Sequence, residues 1–237
     1  MTVNLEIVAF DAPDIEKLVS FYTELTGWTI NPDAEDDWIT IHVPDGQEIA
    51  FQQAADHKAP QWPGQDLPQQ IHLDITVNGH EAAAQRAVEL GATRLADGAS
   101  WITLADPAGH PFDLCQRDDV EPGTMGLFAA TIDAPDASAL ARFYADLMGM
   151  DVTYDGPEGS LIAGNGKSVM FQQVSNYTAP RWPDPEYPQQ GHLDLRTDDV
   201  EGDTARALEL GAVRLPGGGE TFRVFADPAG HPFCICG

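Results

Sequence analysis

The chain of 237 residues repeats itself, and this repeat restricts its fold more than any other feature. The segment Ala105–Phe112 recurs unchanged at Ala226–Phe233. Shorter motifs (Phe-Gln-Gln, Pro-Gln-Gln, His-Leu-Asp and Glu-Leu-Gly-Ala) recur in the same order, always 120 to 122 residues apart. Self-similarity at a fixed offset is typical of duplicated structural units. The sequence therefore predicts two copies of one domain, over residues 1–118 and 124–237, joined by a short Pro- and Gly-containing linker.

Each half carries a fainter repeat of its own. Leu5–Phe10 is a short apolar strand, Asp14 is placed to cap the start of a helix, and Gly27 is placed to end it in a left-handed conformation. The stretch His72–Val77 alternates as a strand and is again followed by a helical pattern that ends at Gly91. Short strands follow each helix. The pattern predicts an α+β fold in which each half consists of two βαβββ modules.

The charge balance excludes several classes of partner. Acidic residues number 38 against 12 basic ones, which gives a formal net charge of −26. Such a surface repels phosphate backbones and anionic lipids, so we expect neither a nucleic-acid nor a membrane partner. The chain has no apolar run long enough to cross a bilayer, and its start lacks the features of a secretory signal. Its three cysteines do not resemble a disulfide framework, so we expect a cytoplasmic protein with reduced thiols.

Several motifs together resemble a known superfamily. They are a helix containing Phe-Tyr, a His-Leu-Asp strand, a Leu-Gly-Ala helix end, and the run Asp-Pro-x-Gly-His-Pro-Phe. An Ala-Pro-x-Trp-Pro segment occurs at Ala59–Pro63 and Ala179–Pro183. In these features the chain resembles, over nearly its whole length and twice, the vicinal-oxygen-chelate superfamily of glyoxalases, bleomycin-resistance proteins and dioxygenases. The resemblance implies paired modules whose curved sheets enclose a cleft, with helices on the outer faces.

The resemblance also implies where a divalent metal would be held in such a cleft. Its three ligand positions fall at Ile7, His72 and Asp113 in the first half, and at Ala129, His192 and Cys234 in the second. An isoleucine and an alanine offer no lone pair, and a catalytic divalent site generally needs three protein ligands. We therefore expect no metal cofactor. A divalent metal held by His72 and Asp113 is the alternative for the first half, whereas Cys234 would suit only a soft metal.

Strand alternation defines the candidate site residues. If Leu73, Ile75 and Val77 face the helix, then His72 and Asp74 face the cleft, and Asp113 does so by the same parity. The candidates for ligand binding are Gln52, Gln53, Trp62, His72, Asp74 and Asp113 in the first half, and Gln172, Gln173, Trp182, His192, Asp194 and Cys234 in the second. In the opposing interpretation, the histidines are buried and hydrogen-bonded to neighbouring strands, and the tryptophans only pack their loops onto the sheet.

The leading functional hypothesis is a glyoxalase- or bleomycin-resistance-like protein, monomeric or homodimeric, that binds a small organic molecule of neutral or cationic character. The first alternative is a metal-dependent lyase, isomerase or dioxygenase whose active cleft lies in the first half. The second is a protein kept for interaction, with both clefts inactive.

Overall fold

A computed structural model describes residues 3–44 and 46–237, in which four βαβββ modules follow one another. The first module is β1 (Asn4–Ala12), α1 (Ile15–Thr26), β2 (Thr29–Ile30), β3 (Trp38–His42) and β4 (Glu48–Gln53). The second is β5 (Ile71–Val77), α2 (His80–Glu89), β6 (Thr93–Asp97), β7 (Trp101–Ala105) and β8 (Pro111–Gln116). The third is β9 (Met125–Ala134), α3 (Ala137–Met148), β10 (Asp151–Gly156), β11 (Gly159–Gly164) and β12 (Lys167–Gln173). The fourth is β13 (Gly191–Arg196), α4 (Val200–Glu209), β14 (Val213–Arg214), β15 (Phe222–Ala226) and β16 (Pro232–Cys236). The predicted α+β fold is confirmed.

The first helix shows why the sequence folds this way locally. The side chain of Asp14 accepts a hydrogen bond from the backbone N–H of Lys17 at 3.0 Å, which satisfies a donor that the first turn would leave free. Gly27 ends the helix with φ of 77°, in the left-handed region where a side chain would be strained. Between these two ends, Leu18 and Phe21 lie on the buried face. Asp136 and Gly149 repeat both ends in α3.

Two eight-stranded sheets are built from modules of different halves. The first has the order β14-β15-β16-β13-β1-β4-β3-β2, so it joins the first module to the fourth. The second has the order β10-β11-β12-β9-β5-β8-β7-β6, so it joins the second module to the third. The central contacts are the antiparallel pairs β1–β13 and β5–β9. Each sheet therefore requires both halves of the chain.

The helix-side cores, in contrast, lie within each half. The ring of Tyr22 stacks on Phe51 at 5.4 Å and meets Phe112 of the next module at 6.0 Å. Its hydroxyl donates to Asp106 at 3.0 Å, and the same carboxylate accepts from the backbone of the turn that follows it. The second half repeats this arrangement around Tyr144 and Asp227. Side-chain packing thus joins the two modules of each half into one of two tandem domains. The two sheets connect these domains to each other. The limits at residues 118 and 124 stay a prediction.

The sheet register corrects the grouping of site positions by half. Ile7 pairs with Asp194 of β13, and Ala129 pairs with Asp74 of β5. The ligand position at Ile7 therefore belongs with His192 and not with His72, and the position at Ala129 belongs with His72. The repeated motifs do not reveal which copies of a module share a sheet, so the prediction from sequence placed neighbours by chain order.

Among the described residues, none of the four helices has both the length and the hydropathy needed to cross a bilayer.

The topology predicts that the first half cannot stay monomeric alone. A fragment of residues 1–118 keeps its aromatic core but leaves β1 and β5 without their central partners. Two apolar strands with free hydrogen-bonding edges favour association with further strands. We expect this fragment to self-associate on size-exclusion chromatography, and to form a one-to-one complex when it is mixed with residues 119–237. A folded, monomeric fragment that ignores the second half would contradict the sheet order.

Candidate functional site

The side chains of β5 and β13 alternate between two environments. Leu73, Ile75 and Val77 belong to the hydrophobic core, whereas His72 and Asp74 point to the opposite face of the sheet, where their donor atoms lie close to that of Asp113. The same parity holds on β13, where Leu193 and Leu195 are core residues and His192 and Asp194 meet Cys234. The equivalent positions of the two histidines follow from the side-chain period of two along a strand.

The larger of the two clefts, called here the His192 cleft, lies on the first sheet. It has a volume of about 760 Å³ and brings together five of the predicted residues: Gln52, Trp182, His192, Asp194 and Cys234. The other residues that line it are Glu35, Trp38, Gln189, Arg196, Thr221, Phe222, Val224, Pro232, Cys236 and Gly237. Gln52 comes from the first half, as the sheet order requires.

The polar groups at the base of the His192 cleft are buried and close together. His192 Nε2 lies 3.4 Å from Asp194 Oδ1, and His192 Nδ1 lies 3.0 Å from Gln189 Nε2. The ring of Trp38 is 6.1 Å from the imidazole, centre to centre. Burial lowers the pKa of His192, but the hydrogen bond and charge of Asp194 outweigh it, so the net direction is upward. Burial, reinforced by Asp194, raises the pKa of the Cys234 thiol well above its usual range, so the thiol stays protonated.

The smaller cleft, called here the His72 cleft, lies on the second sheet. It has a volume of about 260 Å³ and is lined by Asp74, Thr76, Ser100, Trp101, Asp113, Cys115, Gln116, Arg117 and Phe128. His72 is buried and does not itself line this space, but its Nε2 lies 3.6 Å from Oδ1 of Asp74, which does. Burial by itself would lower the pKa of His72. The hydrogen bond to Asp74 and the charges of Asp74, Asp113 and Asp133 raise it to about 9.

Two buried atoms beside the His72 cleft have no hydrogen-bond partner among the described residues, namely His72 Nδ1 and Asp113 Oδ1. Burial raises the pKa of Asp113, and the charge of His72 opposes that shift. The neighbouring Asp74 is better satisfied, because Thr131 donates to its Oδ2 at 2.6 Å. Donor atoms of His72, Asp74 and Asp113 all lie within 4.8 Å of one another, as do those of His192, Asp194 and Cys234.

Four predicted candidates are not brought into the clefts in the expected way. Gln53 donates to the carbonyl of Pro13 at 2.7 Å, and Gln173 donates to that of Pro135, so both amides hold a strand end to the start of a helix. They follow the inward-facing glutamines by one residue and point to the other side of the sheet. Trp62 and Gln172 are not among the described residues that line the His72 cleft. Besides these four, His72 itself is buried behind that lining and does not form part of it.

Other residues of the clefts were not predicted as site residues. Trp101 lines the His72 cleft and Phe222, its equivalent in the repeat, lines the His192 cleft. Because both copies carry an aromatic residue at this position, the sequence could have predicted it as a site position. Asp74 was predicted to line the cleft but not to serve as a third donor beside His72 and Asp113. Gln189 was visible in the repeated Pro-Gln-Gln motif, but its contact with His192 depends on a loop that sequence patterns do not describe.

The comparison with solved structures supports this fold. Glyoxalase I from Zea mays is similar at a TM-score of 0.67 with 18% identity, covering 99% of this chain and 92% of that one. A Bacillus subtilis protein provisionally assigned as a dioxygenase has a TM-score of 0.62 with 16% identity, and 99% and 85% of the two chains are covered. The CppA protein of Streptococcus pneumoniae has a TM-score of 0.54 with 13% identity, and 99% of each chain is covered. At these identities the likeness shows the fold alone.

Sequence comparison is more specific. A search of curated proteins found no significant match. The family model of the glyoxalase-like domain, however, matches twice, over residues 7–115 and 129–236, and so accounts for most of both halves. Together with the four modules and the two clefts, this double match shows that the chain belongs to the glyoxalase-like domain family of the vicinal-oxygen-chelate superfamily, with two such domains in tandem.

Proposed function

We propose that this protein binds a flat organic molecule of neutral or cationic character in the His192 cleft, in the manner of a bleomycin-resistance protein. The observation that carries the proposal is the lining of that cleft. Three aromatic side chains, Trp38, Trp182 and Phe222, share it with the His192–Asp194 pair and the carboxylate of Glu35. Apolar walls with a few placed polar groups are typical of small-molecule sites, and about 760 Å³ lies within their usual range.

Charge supports the cationic side of this proposal. Glu35 and Asp194 line the cleft with two basic groups, Arg196 and His192, and the whole chain is at −26. Aromatic faces attract cations, most strongly where water is excluded. A phosphate ester or a dicarboxylate would meet repulsion from both the site and the surrounding surface. The ligand class is therefore a planar amine, amide or aromatic cation.

The same charge makes nucleic acid and anionic membranes unsuitable partners. We further propose a cytoplasmic location, because Cys115, Cys234 and Cys236 are all free thiols, which a reducing compartment preserves. We also propose that the protein is a monomer or a homodimer, two states that sedimentation velocity distinguishes by mass.

Trp182→Ala tests the site directly. Loss of one aromatic contact costs about 1 kcal/mol, so we expect the affinity for a bound cationic aromatic dye to fall by about fivefold. Isothermal titration calorimetry with a panel of cationic, neutral and anionic aromatics measures it. Trp62→Ala is the matched control, because Trp62 occupies the equivalent position in the other half and should leave this affinity unchanged. Binding of anionic compounds only, or equal effects of the two variants, would contradict the proposal.

A second candidate function is favoured by one specific observation in the His72 cleft. His72, Asp74 and Asp113 each place one donor atom, a nitrogen and two carboxylate oxygens, within 4.8 Å of the others. In addition, His72 Nδ1 and Asp113 Oδ1 are buried and have no hydrogen-bond partner among the described residues. This set fits a divalent ion such as zinc, manganese or iron. When bound, the ion would polarise a substrate oxygen, as in a lyase, isomerase or dioxygenase. His72, Asp74 and Asp113 would hold it, and Trp101 would border the substrate space.

Metal analysis separates the two candidates. Since Ala129 occupies the expected third ligand position beside His72, we predict that protein expressed in metal-supplemented medium and then desalted holds well under one equivalent of zinc, nickel, manganese or iron. Plasma mass spectrometry measures the content. One firmly held equivalent that disappears in His72→Ala and persists in His192→Ala would reverse the order of the two proposals.

A further inference from the structure

The side-chain amide of Gln189 bridges two groups beneath the His192 cleft. Its nitrogen, Nε2, lies 3.0 and 3.2 Å from the two carboxylate oxygens of Asp11 and 3.0 Å from His192 Nδ1. All three residues are at least nine-tenths buried. Asp11 comes from β1 and His192 from β13, so the bridge crosses the junction of the two halves.

The neighbours of the Gln189 amide decide which of its ends donates hydrogen bonds. An amide nitrogen carries two hydrogens, one for the carboxylate and one for the ring nitrogen. The reversed amide would place its oxygen against the carboxylate of Asp11, which only accepts hydrogen bonds when ionised. With the amide in this orientation, His192 Nδ1 would accept through its lone pair, and the ring proton would lie on Nε2, which faces Asp194 at 3.4 Å. A hydrogen bond donated to Nδ1 opposes the attraction of Asp194 for an imidazolium, which gives the pKa of His192 its upward direction.

The other cleft lacks this bridge. Gln69, the equivalent of Gln189, donates to Asp133 at 3.1 Å, but His72 Nδ1 has no partner among the described residues. The two copies of the Pro-Gln-Gln motif thus differ in whether the first glutamine contacts Nδ1 of the histidine. The chain supplies its own control for the effect of a single amide.

We propose that Gln189, held by Asp11, is a positioning residue that fixes the tautomer of His192 with the proton on Nε2. The His192 cleft then offers its ligand an N–H donor beside the Asp194 carboxylate. It does not offer a metal ion the lone pair of Nε2. The hydrogen bond made by the second nitrogen of an imidazole decides what the first can do. The ligand class that matches is a molecule with an acceptor oxygen next to an N–H or ammonium donor. This ligand class rests on the proposed function, whereas the tautomer does not.

Long-range nitrogen–proton correlation spectra of the imidazole rings distinguish both neutral tautomers and the imidazolium. In mildly alkaline buffer, we expect His192 of the wild type to show an unprotonated Nδ1 and a protonated Nε2. Gln189→Ala should abolish this preference, and Gln69→Ala should leave it intact. A protonated Nδ1 in the wild type, as the other tautomer or as the imidazolium, would overturn the proposal, and this measurement needs no variant to fold.

The isosteric pair Asp11→Asn with Gln189→Glu reverses the bridge without changing the charge. The new amide at position 11 would then donate to the new carboxylate at position 189. That carboxylate would accept a hydrogen bond from Nδ1–H of His192. The lone pair of the neutral ring would then lie on Nε2, near Asp194 and Cys234. Titrated with cobalt(II), this variant should gain a thiolate-to-cobalt absorption band that is lost on further Cys234→Ala substitution. The wild type should show no such band from Cys234.

Three outcomes oppose the idea: a Cys234-dependent cobalt band in the wild type, an unchanged tautomer in the folded double variant, or an altered tautomer with no gain of cobalt. Failure of the proposed function has a different signature. Absence of any organic ligand would leave the spectra of His192 as predicted, and Trp182→Ala should reduce dye binding without moving the ring proton.

Discussion

The rest of the structure depends on two antiparallel strand pairs, β1 with β13 and β5 with β9, at the middle of the two sheets. Hydrogen-bonded ladders at these positions are buried, so an unpaired strand would leave backbone N–H and C=O groups buried without partners, at a high cost in free energy. Each pair joins one strand from the first half to one from the second. The concave faces, and the clefts on them, exist only because these two junctions form. The aromatic cores within each half then set how the modules of one half lie against each other.

The two clefts share a plan but not a chemistry. At the last-strand position, Asp113 in one cleft corresponds to Cys234 in the other, and this change replaces an ionisable oxygen donor by a protonated thiol. At the histidine, Gln189 Nε2 lies 3.0 Å from His192 Nδ1, whereas His72 Nδ1 has no partner in the part of the chain that the structure describes. The two clefts also differ in volume. The His192 cleft, where Gln189 contacts the histidine, is the larger of the two and has more aromatic side chains in its lining. The family fold therefore carries two clefts with different lining residues and donor groups in one chain, which agrees with the general separation of fold and function.

Much of this could be predicted from sequence, for definite reasons. Asp14 and Gly27 identify a helix because capping chemistry is local, and His72 faces the cleft because strand alternation is local too. The partner of β1 could not be predicted, because copies of one module offer nearly equal partners and only the three-dimensional path of the chain chooses between them. For that reason Ile7 was assigned to the wrong histidine. Gln53 was a candidate where only Gln52 faces inward, a difference of one residue that the Phe-Gln-Gln motif does not resolve. The contact of Gln189 with His192 depends on loop geometry.

The crossing of the sheets between halves has a genetic consequence. Most tandem proteins can exchange one domain for a homologue and keep the other site as it was. Here, recombination near residues 117–124 would rebuild both binding surfaces at once, since each contains strands from either side of the breakpoint. A substitution in the first half can also change the surroundings of His192, which is encoded about 180 codons after Asp11. The contact between Asp11 and Gln189 is an example. Inheritance of the two clefts is thus linked, because neither can be moved to another protein without strands from both halves.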